Sequence, residues 1–284
     1  HRMIVPATAH GTAAVADHYD ELDAVYRSLW GEHVHHGLWT TGRERPAEAV
    51  EAMVDAVGER LRLQPGAACV DIGCGYGGTA RRLAATRGVR VVGFTLSGEQ
   101  ARHAATIPAA DVDIRVRDWL DNGLPDASAD AAWAIESSEH MADKQGFFDE
   151  AHRVLRPGGR LVVLEFFCAW LAETGARGWK VRHLLEPICS EGRLPSMGTR
   201  EEYAAMARTA GFEVVGYDDV SRRVARTWTI CTGRMLRAVV VDPGMRRLAR
   251  TARNRVFALS LPRLMLAYRT GAMRYGIFTL EKPA

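Results

Sequence analysis

The sequence predicts an α/β fold, a mostly parallel seven-stranded sheet with helices on both faces. Three observations predict it. Apolar runs of strand length recur along the 284 residues, stretches of helical spacing separate the first five runs, and a glycine-rich turn follows the first. Strands that alternate with helices specify parallel pairing, because each crossover helix lies back across a face of the sheet.

The elements follow in order. Residues 11–40 are rich in aromatics and histidine, from His18-Tyr19-Asp20 to His33-Val34-His35-His36-Gly37-Leu38-Trp39. They read as part of a helical N-terminal lid over residues 1–45. From Ala47 to Leu63 the apolar residues Val50, Met53, Val54, Val57 and Leu61 fall at helical spacing. Pro65-Gly66 breaks the chain, and Ala68–Ile72 is the first strand. Thr79–Ala85 then predicts a helix and Val89–Phe94 a second strand. Further strands are expected at Asp113–Arg117, Ala131–Ile135, Arg160–Phe166, Glu213–Tyr217 and Tyr275–Leu280. Leu155–Val163 reads as a helix end, a tight turn at Pro157-Gly158-Gly159 and a strand start. A long, mostly helical stretch separates the last two strands. Residues 46–170 are therefore expected to form the cofactor-binding core, and 171–284 a helical substrate cap inserted among the late strands together with the last strands of the core.

Composition narrows the function. At 47% hydrophobic and 25% charged the chain is an ordinary globular protein. No stretch approaches the roughly 18 apolar residues of a membrane span, and no signal-peptide pattern opens the sequence. His1–Met3 reads as a cloning remnant. The five cysteines are scattered without a CxxC pair, as expected of reduced thiols in a cytoplasmic enzyme. The net charge of +3 is too small to argue for nucleic acid. Its distribution is uneven, with eight arginines and no acid between Arg246 and Arg274. The plain reading is a pair of helices with solvated basic faces. The sharper one is a surface for an anionic substrate, an anionic membrane or a partner subunit in a homo-oligomer.

Residues 71–78 read Asp-Ile-Gly-Cys-Gly-Tyr-Gly-Gly, after a strand and before a helix. Glycines are needed there because a side chain would collide with a ligand lying across the strand end. The run fits both GxGxG and GxGxxG, so the surroundings decide its ligand. Asp71 is placed to orient the loop and to offset a cationic ligand. The second strand ends Gly93-Phe94-Thr95, where a dinucleotide enzyme offers an acid to the ribose. Downstream, Asp118-Trp119 follows the third strand; a carboxylate can accept from an adenine amino group, and an indole can pack on the purine.

These motifs together resemble class I S-adenosylmethionine (SAM)-dependent methyltransferases, whose fold is Rossmann-like. The set is Asp71–Gly78, Gly93-Phe94-Thr95-Leu96-Ser97 with Gln100, Asp118-Trp119 and Leu155–Gly159. The chain is more closely similar to the gamma-tocopherol methyltransferase-like group. It shares with that group the phrases Trp30-Gly31-Glu32-His33-Val34-His35-His36-Gly37 and Trp133-Ala134-Ile135-Glu136-Ser137-Ser138-Glu139-His140-Met141. The ending Tyr268-Arg269 … Tyr275-Gly276-Ile277-Phe278 is shared as well, so the likeness spans nearly the whole chain. The resemblance implies that Gly73 and Gly75 approach SAM, with Thr95, Leu96 and Gln100 near its ribose and Asp118 and Trp119 near adenine. It implies too that Tyr19, His35 or His36 closes over the methionine end. Thr95 departs from the commoner acid of class I enzymes, a pattern the tocopherol-like and lipid cyclopropane-forming relatives share.

Methyl transfer needs a nucleophile in line with the S–CH3 bond, and a phenol, hydroxyl or activated carbon also needs a base. The segment after the fourth strand supplies Glu136, Glu139 and His140. His140 is the expected base, since imidazole titrates near working pH, although a histidine that only shapes the loop would look the same. Glu139 resembles the carboxylate near the reaction centre of lipid cyclopropane-forming relatives, and Glu136 could hold the SAM side of the loop. His33, His35 and His36 lack a carboxylate or thiolate partner at a metal-binding spacing, so no metal is expected. The region from Trp170 to Arg269 is expected to choose a partly hydrophobic small-molecule acceptor, without nucleic acid and without stable membrane insertion.

The expected activity is C-methylation of an aromatic or isoprenoid-bearing natural product. O- or N-methylation of a phenol, sugar or amine is the alternative. Arg222, Arg223, Arg226 and the arginines after Arg246 raise a prenyl diphosphate acceptor, which alone would call for Mg2+. Outside methyl transfer the rivals are a nicotinamide-dependent oxidoreductase, an RNA-modifying protein and an inactive SAM-fold scaffold.

Overall fold

Parallel pairing runs through the first five strands: β1 (Ala68–Ile72), β2 (Arg90–Thr95), β3 (Val112–Val116), β4 (Ala129–Ile135) and β5 (Leu155–Cys168). Two more strands, β6 (Glu213–Asp219) and β7 (Met273–Glu281), complete one sheet in the order β3-β2-β1-β4-β5-β7-β6. β7 lies antiparallel between β5 and β6. The computed structural model describes residues 3–6, 33, 35–244, 246–247 and 255–284. The expected N-terminal lid helix, Tyr19 included, lies outside them.

All seven expected runs are strands. β5 is longer than its pattern, because Leu155 already pairs with Ala129 and a register shift between Ala129 and Ala131 absorbs the glycine turn. Glycine is required at 159, where a Cβ would come within 2.8 Å of the Arg156 carbonyl and 2.9 Å of the Asp130 carbonyl.

Between the strands run α1 (Pro46–Leu61, ahead of β1), α2 (Gly78–Arg87), α3 (Gly98–Ala105) and α4 (Lys144–Val154). The α1 spacing buries Met53, Val54, Val57 and Leu61, as amphipathic periodicity demands. α4 starts where the Asp143 carboxylate accepts from the Gly146 N–H at 2.8 Å. One expectation fails. A single 3-10 turn, Trp119–Asp121, stands where a helix was expected between β3 and β4. The Asn122 amide donates to the Trp119 carbonyl while its oxygen accepts from the Leu124 N–H, both at 2.8 Å. That side chain offers the backbone an alternative to helix, and Gly123 and Pro125 then close the turn.

The cap has two parts. α5 (Gly175–Lys180), a π turn (Val181–Leu185), α6 (Glu186–Glu191) and α7 (Arg200–Thr209) lie between β5 and β6. α8 (Ser221–Val224), α9 (Arg226–Val241) and α10 (Arg255–Arg269) lie between β6 and β7. The core has a layer on each sheet face. Val162 and Leu164 of β5 join Met53, Val57, Leu83 and Tyr275, whereas Leu161 and Val163 join Phe147, Phe148 and Tyr203. This alternation is the period of a strand covered on both sides.

The N-terminal residues are tied to the cap. Ile4 bridges Met197, and Trp39 donates its N–H to the Arg223 carbonyl at 2.9 Å. All five cysteines are free and buried.

Candidate active site

A cleft opens at the carboxyl ends of β1 to β4, where ligands bind in open parallel sheets. Each strand end supplies part of it. After β1, Gly73 has φ +77, and a Cβ there would sit 2.3 Å from the Ser137 Cβ. Gly73 therefore permits close approach of two loops. Gly75, at φ +55, faces open space, with no atom within 4 Å of where a Cβ would lie. The two glycines do different work.

After β2, the Thr95 hydroxyl donates to the Gln100 side-chain oxygen Oε1 at 2.8 Å and accepts from the Ser97 N–H at 3.1 Å. The Ser97 hydroxyl oxygen accepts from the Gln100 N–H and caps α3. Thr95 thus shapes the turn from which Leu96 and Gln100 face the cleft. After β3, the Asp118 carboxylate caps the 3-10 turn by accepting from the Leu120 N–H at 2.9 Å. The Trp119 indole N–H donates to the Phe147 carbonyl at 3.2 Å, and its ring meets Phe94 edge-on at 5.7 Å. Both ends of the indole are held, so it forms a fixed wall.

After β4 comes the loop 136–141. Glu136 has φ +50, a left-handed backbone rare for a residue with a side chain. Its N–H donates to the Leu164 carbonyl at 3.0 Å. Its Oε1 accepts three donors at 2.8 Å each, the His36 backbone N–H, His36 Nδ1 and the Tyr275 hydroxyl. Burial alone would raise the Glu136 carboxyl, but the His36 ring and its hydrogen bonds outweigh it and hold the carboxyl below the usual range. Ser137 Oγ donates to the Ile72 carbonyl and His140 lines the cleft. Lys144 Nζ is buried and donates to the carbonyls of Ser138, Glu139 and Met141 at 3.0–3.3 Å, so the loop wraps an ammonium.

The cleft therefore brings together Gly73, Gly75, Thr95, Leu96, Gln100, Asp118, Trp119, Glu136 and His140. Three expected residues stand behind it. Asp71 is buried beneath the glycine loop, and burial pushes its carboxyl up to about 7, against a smaller pull from the Trp133 indole on β4. Glu139 is 4% exposed, and burial with the nearby Glu165 raises its carboxyl well above the usual range. His36 backs Glu136, with Tyr268 3.3 Å from its Nε2 and Trp228 edge-on at 5.0 Å.

Sequence reasoning assigned no role to Arg117, Ser137 and Met141, which line the cleft, nor to Tyr275 and Glu165 behind it. The shared phrase around Tyr275 was the one signal for it. Burial pushes His33 down to about 3 and lowers His35 as well. Among the described residues no group of three His, Cys, Asp or Glu could hold a metal. Of the arginines singled out, Arg222, Arg226, Arg269 and Arg274 line an open crevice on which Tyr268 also borders.

The family described as mycolic acid cyclopropane synthetase matches residues 7–240. The chloroplastic tocopherol O-methyltransferase of Arabidopsis thaliana is 29% identical over 99% of this chain and 86% of that protein. The 27-O-demethylrifamycin SV methyltransferase of Amycolatopsis mediterranei is 36% identical over 74% of this chain and 78% of that protein. The crystal structure of the [4+2]-cyclase SpnF superposes with a TM-score of 0.80 at 28% identity, covering 100% of both chains. With its glycine loop, its capped turns and the loop after β4 in one cleft, the chain belongs to the mycolic acid cyclopropane synthetase family, and it is a class I SAM-dependent methyltransferase.

Proposed function

We propose that the enzyme methylates a hydroxyl-bearing aromatic or isoprenoid natural product, at the oxygen or at a carbon that the ionised hydroxyl activates. The observation that carries this reading is the state of the three ionisable groups on the loop after β4. Glu136 Oε1 already accepts three donors, Glu139 is buried with its carboxyl raised, and His140 faces the cleft. His140 is thus the group to take a proton from the acceptor. A phenolate is nucleophilic at oxygen and at the ring carbon beside it, so one base serves O- and C-methylation alike.

SAM supplies an electrophilic methyl on a cationic sulfur. The residues present suit it. Gly75 leaves room where a side chain would enter the cleft, Trp119 gives a fixed apolar wall, and the Glu136 carboxyl, held below the usual range, lines the cleft where it would offset a cationic sulfur. Leu96 and Gln100 would hold the ribose, Asp118 and Trp119 the adenine, and Gly73 and Gly75 the methionine end. Glu136 orients the loop and Asp71 acts through charge from below. Tyr19, outside the described residues, and His36, through Glu136, would close the site.

The acceptor is a partly hydrophobic small molecule chosen by residues 171–284, with no nucleic-acid partner. Among the described residues no helix is long and apolar enough to cross a membrane. Five free, buried cysteines support a cytoplasmic site of action. A second reading, a prenyl diphosphate acceptor with Mg2+, is favoured by the crevice of Arg222, Arg226, Arg269 and Arg274. Charge reversal of Arg222 and Arg269 should then abolish turnover of such a substrate and leave phenol methylation intact.

The test is turnover of a panel of phenols and prenylated phenols with SAM, by wild type and His140→Gln. Loss of a general base costs roughly 100- to 10,000-fold in kcat, while affinity for S-adenosylhomocysteine should stay within about threefold. Equal turnover by the variant overturns the role of His140. Rearrangement of an acceptor without gain of a methyl group would point instead to chemistry like that of the [4+2]-cyclase.

A further inference from the structure

Behind the loop that carries His140 lies a buried cluster with more acid than base. Glu165, on β5, is 0% exposed. Its Oε2 accepts from the Ser138 hydroxyl at 2.6 Å and its Oε1 from the Phe166 N–H at 2.9 Å. Glu139 stands beside it on the loop, 4% exposed, with its Oε2 buried and without a hydrogen-bond partner among the described residues. Among the described residues the cation buried with them is Lys144, whose three N–H bonds go to the carbonyls of Ser138, Glu139 and Met141. The other titratable groups within electrostatic reach are Tyr203 of α7 for both carboxyls, Glu136 for Glu139 and Cys189 of α6 for Lys144. Two carboxylates against one ammonium would leave a net negative charge in a site closed to water. Such a charge is neutralised by taking up a proton.

We propose that Glu165 is a positioning residue of the methyl-transfer site: it and Glu139 hold one proton between them, balancing Lys144 and keeping Glu139 neutral beside His140. The consequence lies in the distance from His140 Nε2 to Glu139 Oε1, 3.9 Å. A carboxylate at that range would stabilise the imidazolium and spend the base before the acceptor arrives. A neutral carboxyl does not. Glu165 therefore keeps Glu139 from becoming an ionic partner of His140. The raised carboxyls of both glutamates, driven by burial, agree with this arrangement.

This inference rests on His140 as the base, but its test needs no acceptor. Side-chain NMR of labelled histidine in the S-adenosylhomocysteine complex reads the His140 titration directly, with His140→Gln to assign the signal. In Glu165→Gln, Glu139 is left alone with Lys144 and ionises, so the His140 midpoint should rise by about one pH unit. In Glu139→Gln the neighbour stays neutral and the midpoint should not rise. A merely structural role for Glu165 would not produce this contrast, and an unmoved midpoint in Glu165→Gln overturns the proposal. Should that variant fail to fold, infrared spectroscopy of the wild type decides. A protonated carboxyl band that persists above neutral pH and vanishes in Glu139→Gln is expected, and its absence overturns the proposal. Failure of S-adenosylhomocysteine to bind would count against the functional reading alone, since the titration can be followed without it.

Discussion

At the scale of single residues, the acids of the site differ in charge because they differ in partners. Glu136 is held ionised by three donors, whereas Asp71 has a buried oxygen with no hydrogen-bond partner among the described residues and titrates near 7. An aspartate in an open chain ionises near about 3.9. Asp71 therefore adds stability in full below that value, and the contribution is lost as pH rises through about 7. The sign for a cationic ligand is opposite, because an ionised Asp71 attracts a sulfonium. Calorimetric titration should show SAM affinity rising several-fold relative to S-adenosylhomocysteine from about pH 6 to about pH 8. Asp71→Asn should flatten that ratio. A ratio independent of pH in the wild type would remove Asp71 from the site. The position of Asp71 was legible, since it abuts the glycine turn in sequence. The partners of Glu136 were not, because His36 and Tyr275 lie 100 and 139 residues away.

At the scale of elements, the glycine turn divides into a half packed against the loop after β4 and a half open to the cleft. The sequence pattern treats Gly73 and Gly75 alike, since both fit one motif. Only the fold shows that Gly73 is covered by Ser137 while Gly75 is bare. Gly73→Ala must push the β4 loop aside as well as strain the backbone, a cost of about 1–3 kcal/mol for overpacking. For a domain of this size that lowers Tm by about 2–4 °C per kcal/mol. Gly75→Ala carries only the left-handed strain, yet places a methyl in the cleft. Thermal melts and ligand titrations should separate the two: Gly73→Ala the less stable, Gly75→Ala the weaker SAM binder relative to its small loss of stability. Equal losses in both would deny the division. The strands themselves were legible because β-branched runs bounded by Gly and Pro are local signals. The 3-10 turn after β3 was not, because it depends on the Asn122 side chain taking two backbone bonds.

At the scale of the whole molecule, one carboxylate oxygen gathers three distant parts of the chain. His36 comes from the N-terminal segment, Glu136 from the loop after β4 and Tyr275 from β7, while Tyr268 of α10 reaches the far side of His36. Glu136 also faces the cleft, so a ligand that favours its position must favour the docking of the N-terminal segment and the cap by the same free energy. The coupling has a measurable size. His36→Ala and Tyr275→Phe each remove a donor to the same oxygen, and residues in one hydrogen-bond network couple by about 0.5–3 kcal/mol, whereas independent sites add within about 0.5 kcal/mol. A double-mutant cycle on unfolding free energy should therefore be non-additive. S-adenosylhomocysteine at about 100 times its Kd stabilises a protein by about 2.7 kcal/mol when binding alone is at work. At one fixed ligand concentration, that gain should shrink in each single variant, because part of the binding free energy would go to restoring the junction. Additive losses with an undiminished ligand gain would mean that the N-terminal segment and the cleft are neighbours without being linked.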